Sequence, residues 1–273
     1  MSKMNNLLLY KNDSMKLLTF YRKIKSLSEG SSEKLARNLC DDVELFDELP
    51  VIKRVNKDEK PLDYREKNSK RQGDPQGEKQ INPKSDKTSD KKGEHKRNEE
   101  HIAMDFFKNC KTNAERYDIS VGYVLDYQTP IGGNLEYLYN GERIQNPDYK
   151  EKHNYSPGKC DLMSYNKHDD IIYILELKDE DSKEPLISAV VEAYTYLKLF
   201  DKDALRDNMK RIYPELGINA NTDFVAAPLI YKGGKQYKEL KYENVRKLID
   251  KMDEKVFVYS GDKENYDVEE YKE

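Results

Sequence analysis

The chain has 273 residues, with 48 Lys and Arg against 52 Asp and Glu, so that 37% of its residues are charged and 36% are hydrophobic. An average soluble domain is about 25% charged, and this excess excludes a compact core that fills the whole chain. No segment approaches the roughly 20 apolar residues that cross a bilayer, so we expect no membrane partner. The apolar run at residues 7–9 lacks the cleavage site of a signal peptide. We therefore expect a cytoplasmic chain with solvated segments.

Two helical patterns lie within residues 1–50. Apolar residues at helical spacing predict one helix over residues 15–24, and a second pattern starts at Ser32 and is closed by Pro50. Neither pattern carries a chemical motif. We interpret residues 1–50 as an N-terminal helical arm, which can recruit a protein partner.

Residues 51–98 form a charged segment with few apolar side chains. Residues 53–97 hold 15 Lys and Arg against 9 Asp and Glu, a balance of +6 that leaves the rest of the chain at −10. Such a segment buries too little surface to offset the entropy of ordering it, and we predict a disordered linker. A positive linker beside an acidic body can assist the approach of DNA; the alternative is a linker that only keeps the chain solvated.

Residues 99–262 alternate between helical and strand patterns. Helices are predicted over residues 99–110, 185–200 and 243–252, and strands over residues 119–127, 160–165, 171–177, 224–231 and 256–259. Residues 135–139 can begin a returning strand after the first of these and are not counted in the order. The order α-β-β-β-α-β-α-β predicts an α/β domain in which helices flank a central mixed sheet. Residues 263–273 are predicted to form an acidic tail outside this domain.

The clearest hairpin of the sequence carries charged residues at one end. Asp161 lies near the start of its first strand and Glu176 near the end of its second, so antiparallel pairing brings both carboxylates to the same end. Lys178 follows Glu176 by two residues, and residues i and i+2 of a strand project from one face. We therefore expect two carboxylates and one ammonium to converge.

This combination of groups suits chemistry at a phosphodiester. Carboxylate oxygens are ligands that Mg²⁺ and Mn²⁺ prefer, and such an ion lowers the pKa of bound water and neutralises charge on phosphorus. A lysine near the ion can orient or deprotonate the water, or stabilise the pentavalent state. No other metal site is expected, because the three cysteines lack a CxxC pair and the four histidines share no spacing.

The arrangement resembles the PD-(D/E)XK nuclease superfamily, whose core hairpin has an Asp on one strand and (D/E)-x-K on the next. The resemblance covers about residues 99–260 and rests on Asp161, on Glu176-Leu177-Lys178 and on the order of the elements, with Cys160 where the family pattern has proline. It implies a restriction endonuclease-like core (α-β-β-β-α-β), DNA as the partner and Mg²⁺ or Mn²⁺ as the cofactor. It also implies that Asp161, Glu176 and Lys178 are catalytic, the first two as metal ligands.

Further candidate residues follow from the resemblance. The first core helix of the family often supplies a glutamate to the metal site, and Glu100, or its neighbour Glu99, is the candidate. The helix after the hairpin often carries Gln-x-x-x-Tyr, and this chain has Glu192 and Tyr196 at that spacing, as candidates for substrate binding. Lys159, close to the start of the hairpin, is a third candidate for contact with the substrate.

The leading hypothesis is a metal-dependent nuclease that hydrolyses phosphodiester bonds of DNA. One alternative is a catalytically inactive module on the same fold that binds nucleic acid or protein, and another is an effector whose arm is neutralised by a cognate protein. Simpler readings also exist for three single residues: Glu100 as a partner of the helix dipole, Tyr196 as a core residue and Lys159 as a solvated side chain.

Overall fold

The structure, a computed structural model, describes residues 31–49, 51, 53–54, 99–112, 120–131, 136–139, 142–145, 159–261 and 265–272. The helix predicted over residues 15–24 and nearly all of the predicted linker lie outside this part of the chain. Among the residues described, no helix combines the length and the hydrophobicity needed to cross a bilayer.

The described residues contain two β-sheets. In chain order the strands are β1 (Lys53–Arg54), β2 (Tyr123–Pro130), β3 (Glu136–Tyr139), β4 (Glu142–Gln145), β5 (Lys159–Asn166), β6 (Ile171–Lys178), β7 (Asp223–Tyr231), β8 (Phe257–Ser260) and β9 (Asp267–Glu270). The large sheet has six strands in the order β2-β5-β6-β7-β8-β9, and β1-β3-β4 form a small antiparallel sheet. In the large sheet β6, β7 and β8 are parallel to one another, and the other neighbours are antiparallel. The prediction of an α/β fold with a mixed sheet flanked by helices is confirmed.

Helices pack on the large sheet and on one another. They are α1 (Ser31–Cys40), α2 (Glu99–Thr112), α3 (Leu186–Leu199), α4 (Lys202–Ile212), α5 (Lys235–Glu239) and α6 (Glu243–Lys251), with short 3-10 turns at Val43–Glu48 and Pro214–Leu216. Helix α2 packs on β2, and α3 packs on β6 and β7. Every residue of α3 except Lys198 is buried, as expected for a helix that is apolar on nearly all sides.

The central position of β6 follows from its sequence, IIYILELK. A strand with neighbours on both edges and cover on both faces has a continuous apolar run rather than an alternating one. All residues of β6 after Ile171 are buried. Glu176 and Lys178 interrupt this run and are buried in spite of their charge, so they need partners inside the protein.

One strand prediction and part of the linker prediction are corrected at the sheet edges. The strand predicted over residues 119–127 instead runs from Tyr123 to Pro130. Gly122 turns the chain with a positive φ that suits glycine, and a Cβ there would lie 2.2 Å from the carbonyl oxygen of Tyr165. Proline is tolerated in β2 because β2 is an edge strand. Strand β3 pairs with β4 and with β1, so residues 53–54 of the predicted linker belong to a sheet.

Several described elements were not predicted from the sequence, among them β9 and α4. The predicted acidic tail is wrong for residues 267–270, which form β9 and pair with β8; Val268, 5% exposed, is the apolar residue of this strand. Helix α4 has buried apolar residues only at Leu205 and Met209, one turn apart, and its first turn is capped by Asp201, which accepts a hydrogen bond from the N–H of Ala204. Both elements have too few apolar residues for a clear periodicity.

The described end of the N-terminal arm packs against the domain. Glu33 of α1 accepts hydrogen bonds from the N–H of Asn244 at the start of α6, at 3.1 and 3.0 Å from its two oxygens. The ring of Phe46 meets the ring of Tyr194 edge-on, with centroids 5.4 Å apart. Residues 31–49 therefore cover α3 and α6 and help to bury α3 on the side away from the sheet.

Candidate functional site

Strands β5 and β6 bring Asp161 and Glu176 to one end of their hairpin. Leu162 pairs with Leu175, so the two acids lie one step further along the antiparallel strands. Both are buried, with exposed fractions of 9% and 4%. The N–H of Leu177 donates to Oδ2 of Asp161 at 3.0 Å, so the carboxylate itself ties β5 to β6 at this point.

The edge strand β2 adds Gln128, which had not been predicted as a site residue. Its Nε2 donates to Oδ1 of Asp161 at 2.7 Å, so each oxygen of Asp161 accepts a hydrogen bond. Gln128 has a positive φ, in the left-handed region that residues other than glycine seldom adopt. Backbone strain of this kind costs about 1–3 kcal/mol and tends to cluster at functional sites.

Lys178 lies at the centre of the site. The residue is fully buried, and its Nζ donates to Oε1 of Glu176 at 2.7 Å. Three more carboxylates surround the same ammonium, at 3.3 Å for Glu184, 3.8 Å for Glu99 and 3.9 Å for Glu192. A buried lysine needs compensating negative charge, and here four carboxylates share one ammonium.

Helix α3 presents Glu192 and Tyr196 on the same face, one turn apart. The hydroxyl of Tyr196 donates to Oε1 of Glu192 at 2.9 Å, and the exposed fractions are only 3% for Tyr196 and 6% for Glu192. Their predicted role in substrate binding stays a prediction, and the contacts observed for both side chains are internal. Glu192 joins the carboxylates around the lysine, and Tyr196 holds Glu192 in position.

The helical carboxylate of the site comes from Glu99, in the first turn of α2. Successive residues of an α-helix point about 100° apart, so Glu100 faces another direction. Of the two neighbours considered as a metal ligand, Glu99 is the one that lies near the ammonium, and the role itself stays a prediction. Lys159, the other predicted contact, is the first residue of β5, pairs with Pro130 of the edge strand and is partly exposed. It lies at the rim of the site rather than within it.

Glu184 is a second residue that had not been predicted. It belongs to the loop between β6 and α3, residues 179–185, and its Oε2 also accepts a hydrogen bond from Ser188 at 3.3 Å. This loop follows Lys178 directly and is rich in acids. That concentration of acids was the available signal, but the sequence does not show which of them turns back toward the sheet.

Burial and mutual repulsion raise the pKa values of the carboxyl groups. Loss of solvation, with added repulsion from Glu192, raises the pKa of Asp161 from 3.8 to about 6 against the opposing effect of Lys178. Loss of solvation raises the pKa of Glu99 from 4.5 to about 7, and loss of solvation with repulsion from Asp161 raises the pKa of Glu176 well above its usual range. For Lys178, burial alone would lower the pKa, but the surrounding carboxylates raise it well above 10.5, so the side chain stays an ammonium at neutral pH.

The donor set suits a hard divalent cation. One ammonium faces five carboxylates, an excess of negative charge that a cation would offset: Asp161, Glu176, Glu184, Glu192 and Glu99. Carboxylate oxygens are the ligands that Mg²⁺ and Mn²⁺ prefer. Within the described residues, no three His, Cys, Asp or Glu side chains are spaced to hold a metal ion together, and the Lys178 ammonium is the cation that these carboxylates share. Asp161 and Glu176, which lie opposite each other in the β5–β6 register, remain the predicted metal ligands, and Glu99 and Glu192 lie near the same ammonium.

Comparisons with known proteins assign no family to the chain. No protein-family model matches it, and no match is found among curated proteins or solved structures. The resemblance to the PD-(D/E)XK nucleases therefore rests on the residues of the site and on the order of the elements.

Proposed function

We propose that the protein is a metal-dependent nuclease that hydrolyses phosphodiester bonds of DNA on a restriction endonuclease-like core. The observation that carries this proposal is the buried ammonium of Lys178, which lies 2.7 to 3.9 Å from four carboxylates at the end of β6. Burying several charges together weakens a fold unless they are well paired, and strongly perturbed pKa values tend to cluster where charge is used in catalysis.

The order of the elements supports the same proposal. Helix α2 precedes β2, the antiparallel strands β2, β5 and β6 follow, and α3 then leads to β7, which is parallel to β6. This is the α-β-β-β-α-β order that the resemblance implies, with the small strands β3 and β4 inserted after β2. The candidate acids lie on the second and third of these antiparallel strands, as in the family pattern.

Asp161 and Glu176 would hold the metal ion, and Glu99 and Glu192 add further oxygen donors. When bound, Mg²⁺ or Mn²⁺ supplies an activated water and neutralises charge on the phosphate. The Asp161 carboxylate is oriented before any substrate arrives, because Gln128 and the N–H of Leu177 donate to its two oxygens. Groups oriented in advance need not reorganise during the reaction.

The raised pKa of Lys178 favours one of the two roles open to this lysine. A general base must be neutral, whereas Lys178 is protonated at neutral pH because its carboxylate neighbours raise its pKa well above 10.5, although burial opposes them. We therefore assign Lys178 to stabilising the negative charge that develops on the phosphate oxygens. Glu176 holds the ammonium in place at 2.7 Å.

The test is cleavage of single-stranded and duplex DNA by the full chain in Mg²⁺, in Mn²⁺ and in EDTA. We expect cleavage only with a divalent ion and its loss in Asp161→Asn. Asp169→Asn is the matched control, because it removes the same charge at the opposite end of the same hairpin, where Asp169 is bonded to His168. Cleavage that persists in EDTA or in Asp161→Asn would refute the proposal.

One observation favours the alternative of an inactive binding module on this fold. Lys178 already pairs with Glu176 at 2.7 Å, and the described residues hold no set of three ligands spaced for a metal. Calorimetry with Mn²⁺ separates the two functions. The nuclease requires Mn²⁺ binding that Asp161→Asn weakens, whereas an inactive module shows no binding or binding that this substitution leaves unchanged.

A further inference from the structure

A cavity of about 590 Å³ lies beside the carboxylate cluster, between the loop of residues 179–185 and the segment that follows β7. Its walls are rich in lysine: Lys183, Lys232, Lys235, Lys238 and Lys241. The last four recur at every third residue. Against these five positive charges the lining has three acids, Glu180, Asp181 and Glu239, so the cavity has a net charge of +2 in a chain whose net charge is −4.

The cavity lysines differ in how far their charge is already compensated. Lys232 pairs with Glu269 at 2.8 Å, and Lys235 donates to a main-chain oxygen at 2.6 Å. The other three are exposed and form no ion pair with any described residue: Lys183, Lys238 and Lys241. Uncompensated ammonium groups collected around one cavity attract a partner of negative charge.

The cavity and the carboxylate cluster share the loop of residues 179–185 as a common wall. The side chain of Glu184 approaches the ammonium of Lys178 at 3.3 Å, while the preceding residue, Lys183, lines the cavity. Consecutive Cα atoms are about 3.8 Å apart, and successive phosphates of a duplex strand are separated by about 3.4 Å along the helix axis. A strand whose phosphate lies at the cluster therefore passes close to the cavity.

Helix α5 fixes this common wall. Gln236 donates through Nε2 to the carbonyl oxygen of Glu184 at 2.7 Å, and Glu239 accepts a hydrogen bond from the N–H of Leu186 at 2.7 Å. Gln236 is fully buried and Glu239 is 4% exposed. Because Glu239 accepts a hydrogen bond from α3, its negative charge is partly compensated there. The two hydrogen bonds also fix α5, and with it the cavity lysines, relative to the site.

We propose that this cavity binds the phosphate backbone of the DNA strand beside the phosphodiester that is cleaved, an inference that rests on the proposed function. Lysine contacts phosphate as a point charge and does not distinguish bases, so the contact is independent of sequence. The carboxylate cluster repels a polyanion, and the lysines of the cavity offset this repulsion where the strand enters or leaves the site.

The test is the affinity of the full chain for fluorescein-labelled DNA, single-stranded and duplex, measured by fluorescence anisotropy from 20 to about 200 mM NaCl, the range over which phosphate contacts weaken. EDTA is present throughout, so the result does not depend on catalysis. The variant is K183Q/K238Q/K241Q. The matched control is K34Q/K167Q/K210Q, which removes the same charge from three exposed lysines outside the cavity that form no ion pair with described residues.

Each lost phosphate contact lowers the slope of log Kobs against log [NaCl] by about 0.9 for duplex DNA and about 0.7 for single strands. We expect the cavity variant to lose about 2 to 3 in slope, equally for DNA of any sequence, and the control to keep the wild-type slope. An unchanged slope in the cavity variant, or an equal loss in the control, would overturn the inference. A cavity variant that loses affinity for poly-glutamate but not for DNA would also overturn it and would assign the cavity to an acidic protein.

The same measurement separates this inference from the proposed function. If the wild type cleaves no DNA but the cavity variant loses slope, the cavity binds nucleic acid and the nuclease proposal fails. If the wild type cleaves DNA and the cavity variant keeps both its slope and its KM, the nuclease stands and the cavity is not its strand-binding surface.

Discussion

The two ends of the β5–β6 hairpin both carry acids, but in different surroundings. At the turn end, Oδ1 of Asp170 accepts hydrogen bonds from the hydroxyls of Tyr165, at 3.0 Å, and Thr222, at 2.7 Å. At the other end, Asp161 and Glu176 are buried together with further carboxylates and one ammonium. The same two strands thus separate Asp170, which neutral donors satisfy, from acids that share a single cation.

This difference separates a structural role from the functional one that we propose. Asp170 has a positive φ, which Asp tolerates better than most residues, and its hydrogen bonds explain its place in a tight turn without any ligand. Nothing in the packing of the other end requires five acids around one lysine. Burial there raises carboxyl pKa values, and a bound cation would lower them again. We therefore expect the two ends to respond differently to substitution, metal and pH.

The largest effect is expected for Lys178→Met. The substitution removes the ammonium proposed to stabilise the phosphate in the transition state, and loss of one such group lowers kcat about 10²- to 10³-fold. It also leaves Glu176 buried without its partner, which destabilises a fold by about 3–5 kcal/mol. The measurements are steady-state cleavage of DNA and unfolding by urea.

The double variant Lys178→Met/Glu176→Gln tests whether the loss of activity in Lys178→Met is caused only by unfolding. Removing both charges of the buried pair should restore much of the stability while activity stays lost. Recovery of activity together with stability would mean that Lys178 and Glu176 both serve only the fold, and the comparison of the two ends would then fail.

The core of the site could be predicted from sequence because its geometry is local. Asp161, Glu176 and Lys178 are related by one hairpin and by the two-residue period of a strand. Gln128 and Glu184 were missed, because their places depend on the pairing of β2 with β5 and on the path of a loop. These are contacts across the chain that no short segment specifies.

The fold shows the same limit. Helix α3 and strand β6 are long apolar segments whose pattern predicts them, whereas β9 has Val268 as its apolar residue and forms only because β8 offers an edge to pair with. The choice between Glu99 and Glu100 depended on the rotation of α2 about its axis. The pattern of apolar residues predicts that a helix exists, but packing decides which of its charged residues faces the site.

The second largest effect is expected at the turn end. Asp170→Ala removes the acceptor of the Tyr165 and Thr222 hydroxyls and places a residue of poor left-handed propensity at a positive φ. The unpaired hydroxyls and the strained backbone together should lower the free energy of unfolding by about 2 kcal/mol. Asp170→Gly relieves the backbone strain and isolates the hydrogen bonds. Urea unfolding measures both, and kcat below the unfolding transition should equal that of the wild type. A drop in kcat would mean that the turn end of the hairpin also contributes to activity.

The pH dependence of stability should also distinguish the ends. The pKa of Asp161 is raised from 3.8 to about 6 in the folded protein and that of Glu99 from 4.5 to about 7, chiefly by burial, so the folded state binds these protons more tightly. Their stabilising contribution is complete at the lowest pH and is lost as pH rises through 6 and 7. Since each pKa unit corresponds to about 1.4 kcal/mol, we expect the Tm of the wild type in EDTA to fall by about 5 °C relative to Asp161→Asn between about pH 4 and 7.

Added Mg²⁺ provides the control for this prediction. The ion binds the ionised carboxylates, so it should raise the Tm of the wild type more at pH 8 than at pH 5 and should leave Asp161→Asn nearly unchanged. Parallel Tm curves for the two proteins from pH 4 to 8 would mean that the carboxyl groups titrate alike in the folded and unfolded chains. The buried cluster would then offer no driving force for binding a cation.

The smallest effect concerns Glu254, a buried acid that lacks the features of both ends. It is 8% exposed, neither of its carboxylate oxygens has a hydrogen-bond partner among the described residues, and loss of solvation raises its pKa well above 4.5. Glu254→Gln cannot titrate, so we expect its free energy of unfolding to exceed that of the wild type by about 1 kcal/mol at pH 8. At pH 5, where Glu254 is protonated, the difference should be small. The variant should cleave DNA normally. Urea unfolding at the two pH values measures the gain. An equal gain in stability at pH 5 and pH 8 would show that burial without a shared cation does not raise the pKa of a carboxyl group in this protein. The raised pKa values at the site would then no longer support its proposed function.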